Sequence, residues 1–175
     1  MQVGRFEKVS FEQFREAIRN EFSRPDEYDD WASSDEYVKK MYDSIELPTR
    51  ATSGSAGYDF KAPFSFVLSP GTSVKIPTGI RVKISDGWFL GCLPRSGLGF
   101  KYRFQLDNTM GIIDSDYYYS DNEGHIFAKV SNDGNKELSV KTGEGFIQGI
   151  FIPYGITYGD SASGVRNGGM GSTGR

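Results

Sequence analysis

Two carboxylates and an aromatic ring follow directly on a short apolar run in Gly111-Ile112-Ile113-Asp114-Ser115-Asp116-Tyr117. An acid at the end of a buried strand can be partly desolvated, fixed in orientation and aimed at a water molecule, as general-base hydrolysis requires. The same residues also suit a polar turn that closes a hairpin. A second chemistry is on offer in Pro94-Arg95-Ser96-Gly97-Leu98-Gly99, where a guanidinium, a hydroxyl and the bare amides of Gly97 and Gly99 match the needs of a phosphate. An ordinary glycine-rich turn would carry the same residues. The segment lacks the lysine and spacing of a P-loop, which argues against kinases and ATPases of that type.

The chain has one histidine and one cysteine. His125 opens a strand-like run after a polar loop and reads as a hydrogen-bonded loop histidine, not as half of a Ser–His or Cys–His relay. Cys92 stands in the apolar run 88–94 and reads as a buried, inert thiol. A single thiol allows no intrachain disulfide and no zinc cluster built from thiolates. Chemistry here therefore runs on carboxylates, arginines and water.

Glycine-rich segments recur at 54–60 (GSAGYDF), 94–101 (PRSGLGFK), 143–151 (GEGFIQGIF) and 166–174 (RNGGMGSTG). In this order, with Asp114 in the third place, they resemble the five motifs of the trimeric dUTPase family, over about residues 45 to 175. The resemblance implies a homotrimer with shared active sites that hydrolyses dUTP to dUMP and pyrophosphate, with Mg²⁺ carried on the substrate phosphates and no protein-chelated metal. It casts Asp114 as the base that activates water, and Tyr117 as the floor beneath the deoxyribose that leaves no room for a 2′-hydroxyl. Asn108 reads the uracil edge, and Gly111 lets the base lie close to the chain. Arg95, Ser96, Gly97 and Gln148 meet the phosphates, and Arg166 grips their far end. Met170, Ser172 and Thr173 belong to a glycine-rich lid. Asp59 holds an active-site arginine, and Asp116 supports its turn.

Three departures accompany the resemblance. The loop after Tyr117 is longer than the family's compact continuation and must bulge or touch something extra. Gly145 stands where an arginine is usual, so another residue must supply that charge. Met170 replaces the phenylalanine that stacks on uracil, and a thioether covers a ring less well than an aromatic does.

The elements that must position these residues are mainly β. Ser10 with Gln13 has capping-box spacing before an apolar stripe of Phe11, Phe14, Ile18 and Phe22, which predicts a helix over 10–22. Ser33 with Glu36 repeats that signal before a second stripe, Tyr37, Val38, Met41, Tyr42 and Ile45. From about residue 46 short runs separated by Gly and Pro predict strands at 64–68, 80–84, 88–93, 126–130, 138–140 and 146–152. The expected organisation is a helical N-terminal extension (1–45), a distorted jelly-roll β domain (46–158) and a flexible glycine-rich C-terminal arm (159–175). The helical stripe must be covered by the β-body, a neighbouring subunit or a protein partner.

Twelve acids against eight bases in residues 1–50, and eleven against twelve in the rest, leave no nucleic-acid footprint. No apolar stretch suits a membrane, and a soluble, cytoplasmic protein is expected. Two competing functions stand beside this one. A dCTP deaminase, alone or bifunctional with dUTP hydrolysis, would need an acid–base group at the base ring, and no obvious carboxylate stands in the hairpin for it. A regulatory protein-binding module would use the N-terminal extension or the loop after Tyr117.

Overall fold

The amphipathic pattern that begins at Ser10 folds as α1 (Phe11–Phe22). Ser10 is its N-cap, and the Ser10 hydroxyl accepts from the Gln13 N–H at 3.1 Å, as the capping-box spacing predicts. The reciprocal bond has a different source: the Ser10 N–H donates to Oε2 of Glu123 at 2.7 Å, from the loop after Tyr117. The second helix, α2 (Asp35–Ser44), is capped by Ser34, one residue later than expected, through a 3.3 Å bond from the Tyr37 N–H. Ser33 is diverted because its hydroxyl donates to Asp30 Oδ2 at 2.6 Å and closes a 3-10 turn, Trp31–Ser33.

The computed structural model describes residues 1–23 and 30–166. All strand pairings are antiparallel. The strands are β1 (Gly4–Lys8), β2 (Thr49–Arg50), β3 (Tyr58–Lys61), β4 (Phe66–Leu68), β5 (Ser73–Pro77), β6 (Ile80–Ile84), β7 (Trp88–Pro94), β8 (Phe104–Leu106), β9 (Gly111–Ile113), β10 (Phe127–Asn132), β11 (Leu138–Val140) and β12 (Gly145–Pro153). They form sheets of order β2-β3-β12-β7-β9, β5-β10-β8, β4-β11 and β1-β6 around a shared core, a mainly β arrangement consistent with a jelly roll. In β6 the alternation is realised directly: Ile80, Val82 and Ile84 are buried while Arg81 and Lys83 face outward.

The N-terminal segment is part of that core. Strand β1 pairs with β6, Phe6 opposite Val82, where the sequence pattern signalled no strand because its five residues hold one apolar side chain. Phe14, Ile18 and Val38 are completely buried and join the cluster made by Phe60, Ile76 and Ile80. Each such side chain contributes about 1.5–3 kcal/mol on leaving water. Phe22 and Trp31 close on Phe64 with ring centroids 5.1 and 5.7 Å away. Apart from Tyr37, which is half exposed, the apolar stripes of the helices are thus spent within the chain. Gly79 makes this docking feasible, since it sits at φ +72° and a β-carbon there would stand 2.4 Å from Ile45 Cδ1.

Candidate active site

Arg95 leaves the end of β7 and turns the chain into α3 (Ser96–Tyr102), a helix where a glycine-rich turn was expected. The helix consumes the Gly99 N–H, which donates to the Arg95 carbonyl at 3.0 Å, so Gly99 does not present the free amide the sequence suggested. Ser96 and Gly97 remain exposed at its start. Arg95 Nε lies 3.2 Å from Asp59 Oδ1, which gives Asp59 the arginine partner expected of it. On the next strand, Gln148 donates through Nε2 to the Pro94 carbonyl at 3.2 Å, and Gln148 is paired in register with both Asp59 and Leu93. A β-carbon at Gly57 would fall 2.4 Å from Gln148 Oε1, so the glycine of the first segment makes room for the amide of the fourth. Three sequence-distant segments therefore converge on one group: Asp59, Arg95, Ser96 and Gln148. It offers a cation and neutral donors, the equipment for binding an anion.

The second group lies along β9. A cavity of about 320 Å³ is walled by Cys92, Leu106, Ile113, Ile126 and Phe127, with Asn108 and Gly111 among its lining. This size and largely apolar wall suit a flat ring held by a few polar contacts. Asn108 sits in a tight turn in which Thr109, at φ +66°, donates to the Leu106 carbonyl at 2.9 Å. Gly111 packs against Cys92, whose Cβ would be 3.3 Å from an added β-carbon. Burial pushes the Cys92 thiol up to about 12, which keeps it protonated and inert as the sequence implied. Lys75, Asp107, Phe127 and Lys129 also line the cavity. Sequence reasoning missed Lys75, Phe127 and Lys129, because they belong to no motif and reach the site only through the pairing of β10 with β5 and β8. Asp107 corrects the expectation that the hairpin holds no carboxylate. Its carboxyl is held below the usual range by a hydrogen bond from Ser131 and by Lys129, 2.9 Å away.

Asp114 follows β9 and heads the 3-10 turn Ser115–Tyr119. Arg166 reaches it: Nη2 lies 2.5 Å from Asp114 Oδ2, and Nε forms a 3.0 Å ion pair with Asp116 Oδ1. The same guanidinium stands over the Tyr117 ring, 5.7 Å from its centroid. Arg166, assigned to the far end of a triphosphate, lies here on the expected base and not beside Arg95 and Ser96 of its own chain. Tyr117, expected as the floor beneath the deoxyribose, is buried to 1% exposure and its hydroxyl donates to the His125 carbonyl at 2.7 Å. His125 is itself buried, with Nε2 accepting from the Gly79 N–H at 2.8 Å. Met170, Ser172 and Thr173 lie outside the described residues.

Asp114 and the Arg95 group sit at opposite ends of one strand. Ile113 pairs with Leu90 and Gly111 with Cys92, so Asp114 lies level with Phe89 while Arg95 is six residues further along β7. At about 3.3 Å per residue the separation is about 20 Å. The direction from the cavity at Cys92 to Asp114 also runs away from Arg95.

Comparison with known proteins shows what this arrangement belongs to. The dUTPase family model matches residues 43–174. The deoxyuridine 5′-triphosphate nucleotidohydrolase of Lactococcus lactis is 39% identical over 133 residues, 74% of this chain and 89% of that protein. That of Tolumonas auensis is 40% identical over 144 residues, 78% of this chain and 92% of the relative. The chain belongs to the dUTPase family. The crystal structure of dUTPase from Streptococcus mutans superposes with a TM-score of 0.59 at 38% identity, covering 65% of this chain and 89% of that one. A Staphylococcus bacteriophage 80alpha dUTPase shares the fold at 19% identity with a TM-score of 0.57.

Two of this dUTPase's departures from its family acquire a physical account. A β-carbon at Gly145 would stand 2.7 Å from Arg95 Nη1, so Arg95 already fills the space above residue 145, and it donates weakly to the Gly145 carbonyl at 3.4 Å. A guanidinium of the second motif thus stands beside the position where the fourth motif usually carries one. The long loop after Tyr117 does touch something extra, because Glu123 caps α1 and the Tyr118 hydroxyl donates to Glu7 Oε2 at 2.7 Å. Among the described residues no group of three or more His, Cys, Asp or Glu converges as metal ligands, and no helix is long and apolar enough to cross a membrane.

Proposed function

We propose that this chain hydrolyses dUTP to dUMP and pyrophosphate, in sites completed between copies of a homotrimer. The observation that carries this reading is the separation of its two half-sites along β7. A nucleotide whose base occupied the cavity at Asn108 and Gly111 would direct its phosphates past Asp114, away from the Arg95 group of the same chain. The Arg95 group of a neighbouring copy would then meet them. Within such a site Asp114 takes a proton from water. The water oxygen bonds to the α-phosphorus while the bond to the α,β-bridging oxygen breaks, and its electron pair leaves with pyrophosphate. Ser96, Arg95 and Gln148 donate to the oxygens on which charge accumulates, a contribution usually worth several kcal/mol.

Mg²⁺ fits this site as a passenger on the phosphates, since the Arg95 group holds the single carboxylate Asp59, enough to contact a metal's water shell but not to chelate it. When bound, the ion neutralises phosphate charge. A deaminase acting on dCTP is disfavoured because the Asp107 carboxylate, the one acid in the hairpin, is already engaged by the Ser131 hydroxyl and the Lys129 ammonium.

Pyrophosphate release should be confined to dUTP when dUTP, dTTP, dCTP and UTP are compared, and dCTP should yield no ammonia. Asp114→Asn should bind dUTP yet lose about 10²–10⁴-fold in turnover. Unchanged turnover in that variant, or ammonia from dCTP, would refute the proposed chemistry.

A further inference from the structure

The N-terminal segment and the long loop after Tyr117 stand apart from the family pattern, and the structure joins them. Both carboxylate oxygens of Glu123 accept from Ser10, one from its N–H at 2.7 Å and one from its hydroxyl at 2.6 Å. Glu123 adopts φ +58°, a left-handed conformation unfavourable for a residue with a β-carbon, so its contacts must hold it there. The following Gly124, at φ +69°, leaves no slack: a β-carbon would lie 2.7 Å from Tyr118 Cα. Arg81 clamps the other side of the loop, donating to the Tyr118 carbonyl at 3.0 Å with its guanidinium 3.7 Å from the Tyr118 ring centroid.

The loop fixed in this way determines where Tyr117 sits. Asn122 donates to the Tyr117 hydroxyl at 2.8 Å, and that hydroxyl donates to the His125 carbonyl at 2.7 Å. Asn122 precedes Glu123 and His125 follows two residues later, and the Tyr117 N–H donates to the Asp114 carbonyl at 3.2 Å. The path from the cap of α1 to the residue that meets the sugar is thus a short series of direct contacts.

We propose that Glu123, held by Ser10, is a positioning residue for the sugar end of the site. The N-terminal segment, acting through this pair, sets the height and tilt of the Tyr117 ring and thereby the preference for deoxyribose over ribose. The inference rests on the reading of Tyr117 as the sugar filter. A misplacement of about 1 Å in a site costs on the order of a hundredfold. A ring partly released from its support should therefore lose about tenfold, half of that effect on a logarithmic scale, read as a fall in the dUTP-to-UTP ratio of kcat/KM.

The test measures that ratio for Ser10→Ala, Glu123→Ala, Glu123→Gln and Tyr117→Ala. Each ratio comes from one sample, so the fraction of active protein cancels. Ser10→Ala and Glu123→Ala should lower it about tenfold, while Glu123→Gln, whose amide keeps an acceptor for the Ser10 N–H, should restore most of it. Melting temperatures recorded alongside separate this role from a purely structural one. A lowered melting temperature with an unchanged ratio in both alanine variants overturns the inference. A strict ratio in Tyr117→Ala instead removes Tyr117 as the filter, and that failure is distinguishable because the alanine variants at 10 and 123 are scored independently of it.

Discussion

Arg166 covers the carboxylate of Asp114, with Nη2 2.5 Å from Oδ2 and only 16% of its side chain exposed. The proposed base and the aromatic ring beside it are thus both screened by one guanidinium of the C-terminal arm. A triphosphate carries far more charge than a single carboxylate and can draw that guanidinium onto itself.

Arg166→Ala should accordingly raise KM for dUTP and lower kcat by about a hundredfold, the usual cost of losing a donor to developing charge. dUMP, which lacks the outer phosphates, should bind no more weakly than to the unaltered chain. Steady-state kinetics with dUMP as product inhibitor check both halves of this expectation.

Gly145→Ala puts a methyl group where Arg95 Nη1 now lies, at 2.7 Å. The guanidinium is the free end of a flexible side chain and will move, at little cost to the fold. We expect kcat/KM to fall about tenfold or more through the lost alignment of Arg95, with the melting temperature nearly unchanged. A large loss of stability with intact kinetics would contradict the role given to Arg95.

Tyr117→Phe removes the donor to the His125 carbonyl and the acceptor for Asn122. Buried polar groups left without partners cost about 1–3 kcal/mol. Urea unfolding should show a loss in that range, and the dUTP-to-UTP preference should weaken less than in Tyr117→Ala because the ring remains.

His125 ties stability to pH. Burial among apolar groups lowers it from 6.5 to about 3, so between those values the unfolded chain takes up a proton that the folded chain refuses. Stability is therefore full above pH 6.5 and declines as pH falls toward 3. From pH 7 to pH 5 the loss attributable to His125 should be about 2 kcal/mol, measured by urea unfolding. His125→Gln should remove that part of the slope.

What could be read from the sequence was what local spacing or motif order encodes. Ser10 and Gln13 announced a helix start, the alternation at 80–84 announced a half-buried strand, and the motif order grouped Asp59, Arg95 and Gln148 before any strand was paired. Strand β1 was invisible because Phe6 alone carries its pattern. Helix α3 was hidden by Gly97 and Gly99, which lower helix propensity, and forms because β7 and β8 hold its ends. Long-range partners had no local signature at all: Glu123 serves a helix cap from the far side of the chain, and Lys75, Phe127 and Lys129 reach the cavity only through strand register.

The family's reach begins at residue 43, yet Phe6, Val9, Phe14, Ile18 and Val38 share a core with Phe60 and Ile80. Inherited boundary and cooperative boundary do not coincide in this molecule. Cutting at the edge of the family match would unroof β5 and β6 and leave apolar surface that seeks another chain, so a minimal version must retain the residues that precede it.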